Sequence, residues 1–279
     1  MSKLIRDFIL SKYKRKNIII ELNNIQKKII NDLRNNGYCT CHYDDIFGEG
    51  SFIKEVYPHS KKIKNKLENK LINDNTVFRS DKKFVARYYS NNSIIKIKSI
   101  LNNLSVTDFF WDIAYKYLGS IPKITNLDYW LNIPTNIKKP TSSQLWHKDY
   151  EDLSLLKVFI YLEDVDENSG PFSYVSTSHE TGPNSNLFKR NYPNGIVLKD
   201  EEVNKHFSSD KILRFKVPKG TLVFVDTSGI HRGGFCTKSN RFLFTFTYTS
   251  FAGISPRNFK LDQNEISNLS AEKEISLIN

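Results

Sequence analysis

Arg241-Phe-Leu-Phe-Thr-Phe-Thr-Tyr248 alternates without a break. Side chains on a strand point to opposite faces with period 2. Phe242, Phe244, Phe246 and Tyr248 therefore form one face, and Arg241, Leu243, Thr245 and Thr247 the other. A helix would spread the same aromatics around its whole circumference. Such a strand belongs to a sheet whose aromatic face packs on another layer. An arginine among small residues needs polar surroundings, so the other face is expected to look into a cavity.

Other short β-type runs precede it. Asp128 to Ile133 is aromatic and branched, Ser142 to Trp146 reads as a strand, and Lys157 to Leu162 reads as a buried one. Thr221 to Asp226 follows Pro218 and Gly220. A set of short strands separated by turns points to an antiparallel barrel or jelly roll. The amino-terminal part reads helical. Leu22, Ile25, Ile29 and Leu33 recur at three- and four-residue spacing before Gly37, and the lysine-rich stretch from Tyr57 to Gly119 carries helical patterns and no strand. We therefore expect a single domain over 1–279: a mostly helical part (1–120), a β core (121–255) and a polar tail (256–279).

The apolar fraction of 39% supports a real core. No apolar run approaches the length of a transmembrane span, and the basic start lacks a cleavage site, so no secretory signal is expected. Three cysteines make no disulfide framework and favour the cytoplasm; Cys39 and Cys41 read as strand residues. The formal charge of +11 favours an anionic small-molecule substrate. The lysines are scattered and form no single arm, and no nucleic-acid partner is expected. Leu4, Ile5, Phe8 and Ile9 share a lysine-flanked face, which suits either weak peripheral contact with a membrane or packing on the body.

The chemistry resides in His147-Lys148-Asp149, with His231 about 80 residues later and Arg241 ten beyond that. Two imidazoles and a carboxylate hold one face of Fe(II) and leave the other open for O2. A downstream arginine suits the far carboxylate of a 2-oxo-acid cosubstrate. His-x-Asp is a cheap pattern, and His42-Tyr43-Asp44 is a second instance, but it lies in a turn-rich stretch without flanking strands. His179 reads as a structural turn residue, and His59 and His206 as solvated.

The segments Gln144–Asp149, Phe159–Pro171, Ser176–His179, Gly220–Asp226 and His231–Gly233 resemble, in the same order, the phytanoyl-CoA dioxygenase-like oxygenases. The likeness spans roughly residues 120 to 250. It implies a double-stranded β-helix (jelly roll, cupin-like) flanked by amino-terminal helices, using Fe(II), 2-oxoglutarate and O2. By resemblance His147, Asp149 and His231 are the metal ligands, Arg241 anchors 2-oxoglutarate, and Phe159, with Trp130 or Tyr129, lines the cosubstrate pocket. The usual Pro-Gly-Ser-His turn here reads Ser176-Thr-Ser-His179, and Gly233 stands where some members carry a hydroxyl. The implied reaction is hydroxylation of an unactivated C–H in a small metabolite: a sugar acid, a nucleotide- or CoA-linked compound, or a lipid-linked glycan. A metal-free jelly roll that binds carbohydrate and a nucleic-acid base dealkylase are the alternatives. The complete triad speaks against the first. The lack of an arginine shortly after Arg241 speaks against the second.

Overall fold

The alternating strand lies near the middle of a large sheet that is covered on both sides, which is why all nine of its residues are buried. The computed structural model describes residues 3–13, 18–73, 78–79, 82–89, 93–135, 139–190, 195–266 and 268–277.

The first half carries α1 (Lys3–Tyr13), α2 (Asn24–Asn36), β1 (Tyr38–His42), α3 (Tyr43–Phe47), α4 (Tyr57–Asn73), β2 (Phe78–Arg79), β3 (Lys82–Arg87), β4 (Ser93–Ile95), α5 (Ile100–Leu104) and α6 (Asp108–Leu118). Then follow β5 (Lys123–Asn132), β6 (Trp146–Lys148), β7 (Leu156–Tyr161), β8 (Ser173–Val175), β9 (Ile196–Leu198), α7 (Asp200–His206), β10 (Ile212–Arg214), β11 (Thr221–Val225), β12 (His231–Arg232), β13 (Arg241–Thr249), β14 (Phe259–Leu261) and α8 (Ala271–Leu277).

Two antiparallel sheets face each other. The larger runs β1-β11-β7-β13-β5-β3-β2 and the smaller β10-β8-β12-β6-β9. Phe242, Phe244, Phe246 and Tyr248 turn outward against α2 and α6, where Ile29, Leu33, Phe110 and Ile113 receive them. The opposite face of the large sheet packs Phe159, Tyr161, Val223 and Leu243 against Phe172 and Tyr174. Burial of each such aromatic contributes about 1.5–3 kcal/mol, so the helical layer is part of the core.

α2 shows how local chemistry fixes an element. Asn23 and Gln26 form a reciprocal capping box, and Gly37 ends the helix at φ 82°. A Cβ on Gly37 would lie 2.2 Å from the Tyr174 hydroxyl, so this position needs glycine for space as well as conformation.

Several expectations are corrected. The stretch from Tyr57 to Gly119 contains β2, β3 and β4, and β1 and β3 join the large sheet. Ser142 to Gln144 is a 3-10 turn; the strand that carries the first histidine begins at Trp146. His59 is half-buried and bonds the Tyr129 hydroxyl at 3.1 Å. The tail contributes β14, paired in parallel with β4, and α8. α1 docks on the body: Arg6 pairs with the buried Asp152 carboxylate at 2.6 Å and Tyr13 stacks on Phe251, while Ile5 and Phe8 remain exposed. Among the described residues no helix is long and apolar enough to cross a membrane.

Candidate active site

β6 and β12 are neighbours in the small sheet, and their register sets His147 directly opposite His231. Alternation along β6 buries Trp146 and Lys148 on one face and turns His147 to the other. Trp146 is pinned by its indole N–H to Asp200 at 2.7 Å. Asp149 follows β6, and its N–H bonds the Thr227 carbonyl at 2.9 Å, tying this loop to the one that leads into β12. The sequence thus brings the three side chains together through a strand pair and one backbone bond.

The potential ligand atoms of His147, Asp149 and His231 all lie within 4.8 Å of one another. His147 Nε2 is 3.7 Å from Asp149 Oδ1, and His231 Nε2 is 3.5 Å from Asp149 Oδ2. His147 Nδ1 meets the Leu145 carbonyl at 2.8 Å and His231 Nδ1 that of Gly229 at 2.9 Å. A carbonyl only accepts, so each Nδ1 carries the proton and each Nε2 presents a lone pair to the centre. Burial, reinforced by neighbouring His147, pushes the His231 pKa down to about 3, and burial also lowers that of His147. Burial works against the charge on Asp149, but Lys157 and then the two imidazoles override it and hold its carboxyl below the usual range. Lys157 Nζ bonds Asp149 Oδ2 at 2.5 Å. Two neutral imidazoles and an ionised carboxylate are the donor set that ferrous iron takes.

These groups open on a cavity of about 400 Å³ between the sheets. On its floor the strand register places Lys157, Thr247 and Asn126 side by side. Leu243 lies between Tyr161 and Trp130, with Arg241 beyond, beside Asn132. Arg241 is 4% exposed, yet its Nε and Nη1 have no partner. The Tyr161 hydroxyl and the Trp130 indole N–H are likewise buried and unbonded. A cluster of unpaired donors inside a protein is costly, and a carboxylate with its several lone pairs satisfies it. Gly233 leaves space here: a Cβ on it would be 3.6 Å from Arg241 Nη2.

Among the expected pocket residues, Phe159 and Trp130 line this cavity. Tyr129 does not. It is fully buried in the outer core against Phe242 and Phe244, because neighbouring strand residues face opposite ways. Tyr161 and Lys157 were not anticipated, although they alternate in step with Phe159. His179 is buried and meets the Arg34 carbonyl at 3.1 Å, as a structural residue. His42 ends β1 and caps α3, far from chemistry in its role.

The sequence profile of the phytanoyl-CoA dioxygenase family (PhyH) matches residues 44–240, well over half of the chain. The protein belongs to this family. It is accordingly an iron- and 2-oxoglutarate-dependent oxygenase, and the metal-free binder reading falls away. No individual curated protein matches in sequence. The fold is similar to that of the non-heme alpha-ketoglutarate-dependent carbocyclase SnoK from nogalamycin biosynthesis, with TM-score 0.54, 16% identity, and coverage of 88% of this chain and 92% of that one. It is equally similar to EctD from S. alaskensis with bound Fe, with TM-score 0.54, 16% identity and coverage of 88% and 85%. HygX from Streptomyces hygroscopicus, with nickel, 2-oxoglutarate and hygromycin B bound, has TM-score 0.50, 15% identity and coverage of 82% and 88%. In this PhyH member the triad offers the ligand types the metal needs, and the unpaired donors around Arg241 suit the cosubstrate.

Proposed function

We propose that His147, Asp149 and His231 are the iron ligands and that Arg241 anchors the far carboxylate of 2-oxoglutarate. Tyr161 and Trp130 assist, and Phe159 forms the wall between anchor and metal. The enzyme then hydroxylates a C–H bond of a small polar metabolite with release of succinate and CO2. The observation that carries this reading is a triad of neutral imidazoles and carboxylate that shares one cavity with a buried guanidinium whose Nε and Nη1 have no partner. Bound iron supplies the oxygen activation. The protein's residues hold it, orient the cosubstrate and keep bulk water out. A cytoplasmic location belongs to the proposal, supported by the free thiols of Cys39, Cys41 and Cys236.

The anionic substrate expected from net charge finds little support in the lining. Of the lining cations besides the anchor Arg241, Lys157 is engaged by Asp149 and Arg87 by Asp128, and Lys82 acts on the Glu151 carboxylate. The test is anaerobic addition of Fe(II) and then 2-oxoglutarate, which should produce a charge-transfer absorption band. Asp149→Ala should abolish both the band and succinate formation. Arg241→Ala should raise the 2-oxoglutarate KM about 10- to 100-fold while retaining metal binding, as expected for loss of a charged hydrogen-bonding partner. A wild-type enzyme without the band, or an Asp149 variant with full turnover, would refute the assignment.

A further inference from the structure

The cavity continues past the metal triad, away from Arg241, into a part that the cosubstrate does not need. Its floor is the row Lys157, Thr247 and Asn126, and the loop after β13 brings Asn258 alongside, its amide meeting that of Asn126. Glu151, two residues beyond Asp149, lies beside this row, its backbone fixed by its carbonyl, which accepts from Ile254 N–H at 2.8 Å. The Glu151 carboxylate lines the cavity with its side chain 25% exposed. Oε1 stands 3.9 Å from Lys157 Nζ, beyond hydrogen-bond distance, and Oε2 is buried with no partner. Lys157 gives its short bond to Asp149 instead.

A carboxylate oxygen buried without a donor is expensive to maintain, even where the other oxygen faces Lys157. Inside a cavity beside a reaction centre, the missing donor is one that a ligand brings. An anionic ligand would add negative charge beside Asp149 and Glu151, where Lys157 is already committed. Of the other cations that line this part, Arg87 is held by Asp128 and also donates to Asn126 Oδ1 at 3.3 Å, and Lys82 lies near enough to Glu151 to favour its charge. Thr247, Asn126 and Asn258 are themselves neutral and both donate and accept. Resting on the oxygenase reading above, we propose that Glu151 selects the substrate. It accepts a hydrogen bond from a hydroxyl or ammonium group of a non-anionic, sugar-sized molecule lodged against the Asn126–Thr247–Asn258 wall.

The test uses the whole protein loaded with Zn(II) and 2-oxoglutarate. Saturation-transfer NMR is run against four probes of matched size: methyl glucoside, glucosamine, glucuronate and glucose 6-phosphate. The neutral or the aminated probe should bind at least about 10-fold more tightly than the two anions, and Glu151→Leu should remove that preference, as loss of a charge-assisted acceptor implies. Glu151→Gln separates the two donor types. An amide oxygen still accepts from a hydroxyl, so methyl glucoside binding should persist if the hydroxyl is the donor, and glucosamine binding should fall if the ammonium is. Preferential binding of either anion, equal binding of all four, binding of none, or binding indifferent to Glu151→Leu overturns the proposal. So does loss of the Fe(II)–2-oxoglutarate band in the Glu151 variants, which would make Glu151 a support of the metal site. Absence of that band in the wild type would instead sink the oxygenase reading itself.

Discussion

His231 illustrates how much of the proposed metal site would be prepared before a metal arrives. Its neutral form is set by burial, its tautomer by the Gly229 carbonyl and its partner by strand register. With both imidazoles neutral and Asp149 already ionised at pH 7, metal uptake should release almost no protons. Calorimetric titration of Zn(II) in two buffers of different ionisation heat should therefore give nearly the same apparent enthalpy. A buffer-dependent difference corresponding to a full proton would contradict the assigned protonation states. The same burial has a cost in acid. The folded pKa of His231 lies below the unfolded value, so its contribution to stability is present above about pH 6.5 and is lost as pH falls towards 3. The stability of metal-free wild type relative to His231→Gln should decline over that interval, as read by denaturant unfolding at a series of pH values.

At the scale of elements, strength of pattern decided what could be read. β13 was legible because nine residues alternate, and its faces followed directly. β6 and β12 are three and two residues long, too short to display a period, and only their histidines marked them. β3 hides a short apolar run, Phe84 to Ala86, between charged residues, so the lysine-rich stretch concealed its strand. Tyr129 and Trp130 could be told apart only through pairing: Trp130 lies opposite Leu243 on the cavity face, and that register is non-local. Glu151 and Lys157 carry no motif at all and emerge from the three-dimensional arrangement alone. The turn Ser176–His179 shows a different kind of departure. Thr177 adopts φ 68°, which a β-branched residue tolerates poorly. Its hydroxyl accepts from the Asn184 amide at 2.7 Å, which offsets part of that strain. Thr177→Val keeps the strain and loses the bond, and should cost about 1–2 kcal/mol. Thr177→Gly relieves one while losing the other and should stay within about 1 kcal/mol of wild type. Equilibrium unfolding of the two variants checks the contrast, and equal losses would contradict it.

On the scale of the molecule, the large sheet is a partition. One side is filled by the helical layer and is closed to chemistry; the other holds the cavity. Side chains from β3, β5, β7 and β13 line that cavity, so the first hundred residues shape the pocket as well as supporting it. The chain's charge of +11 is therefore a poor guide to the pocket, where Lys157 and Arg87 are already matched by carboxylates.

The Arg6–Asp152 pair extends this reach to the beginning of the chain. Asp152 is three residues from Asp149, its side chain is fully shielded, and it also receives the Ser250 N–H at 2.7 Å. Clipping the leading helix, or crowding it with a purification tag, would strand that anion in the loop that carries Asp149. Preparations differing only at their amino terminus should consequently differ in how firmly they retain metal during dialysis, a practical handle on a centre that lies far along the sequence.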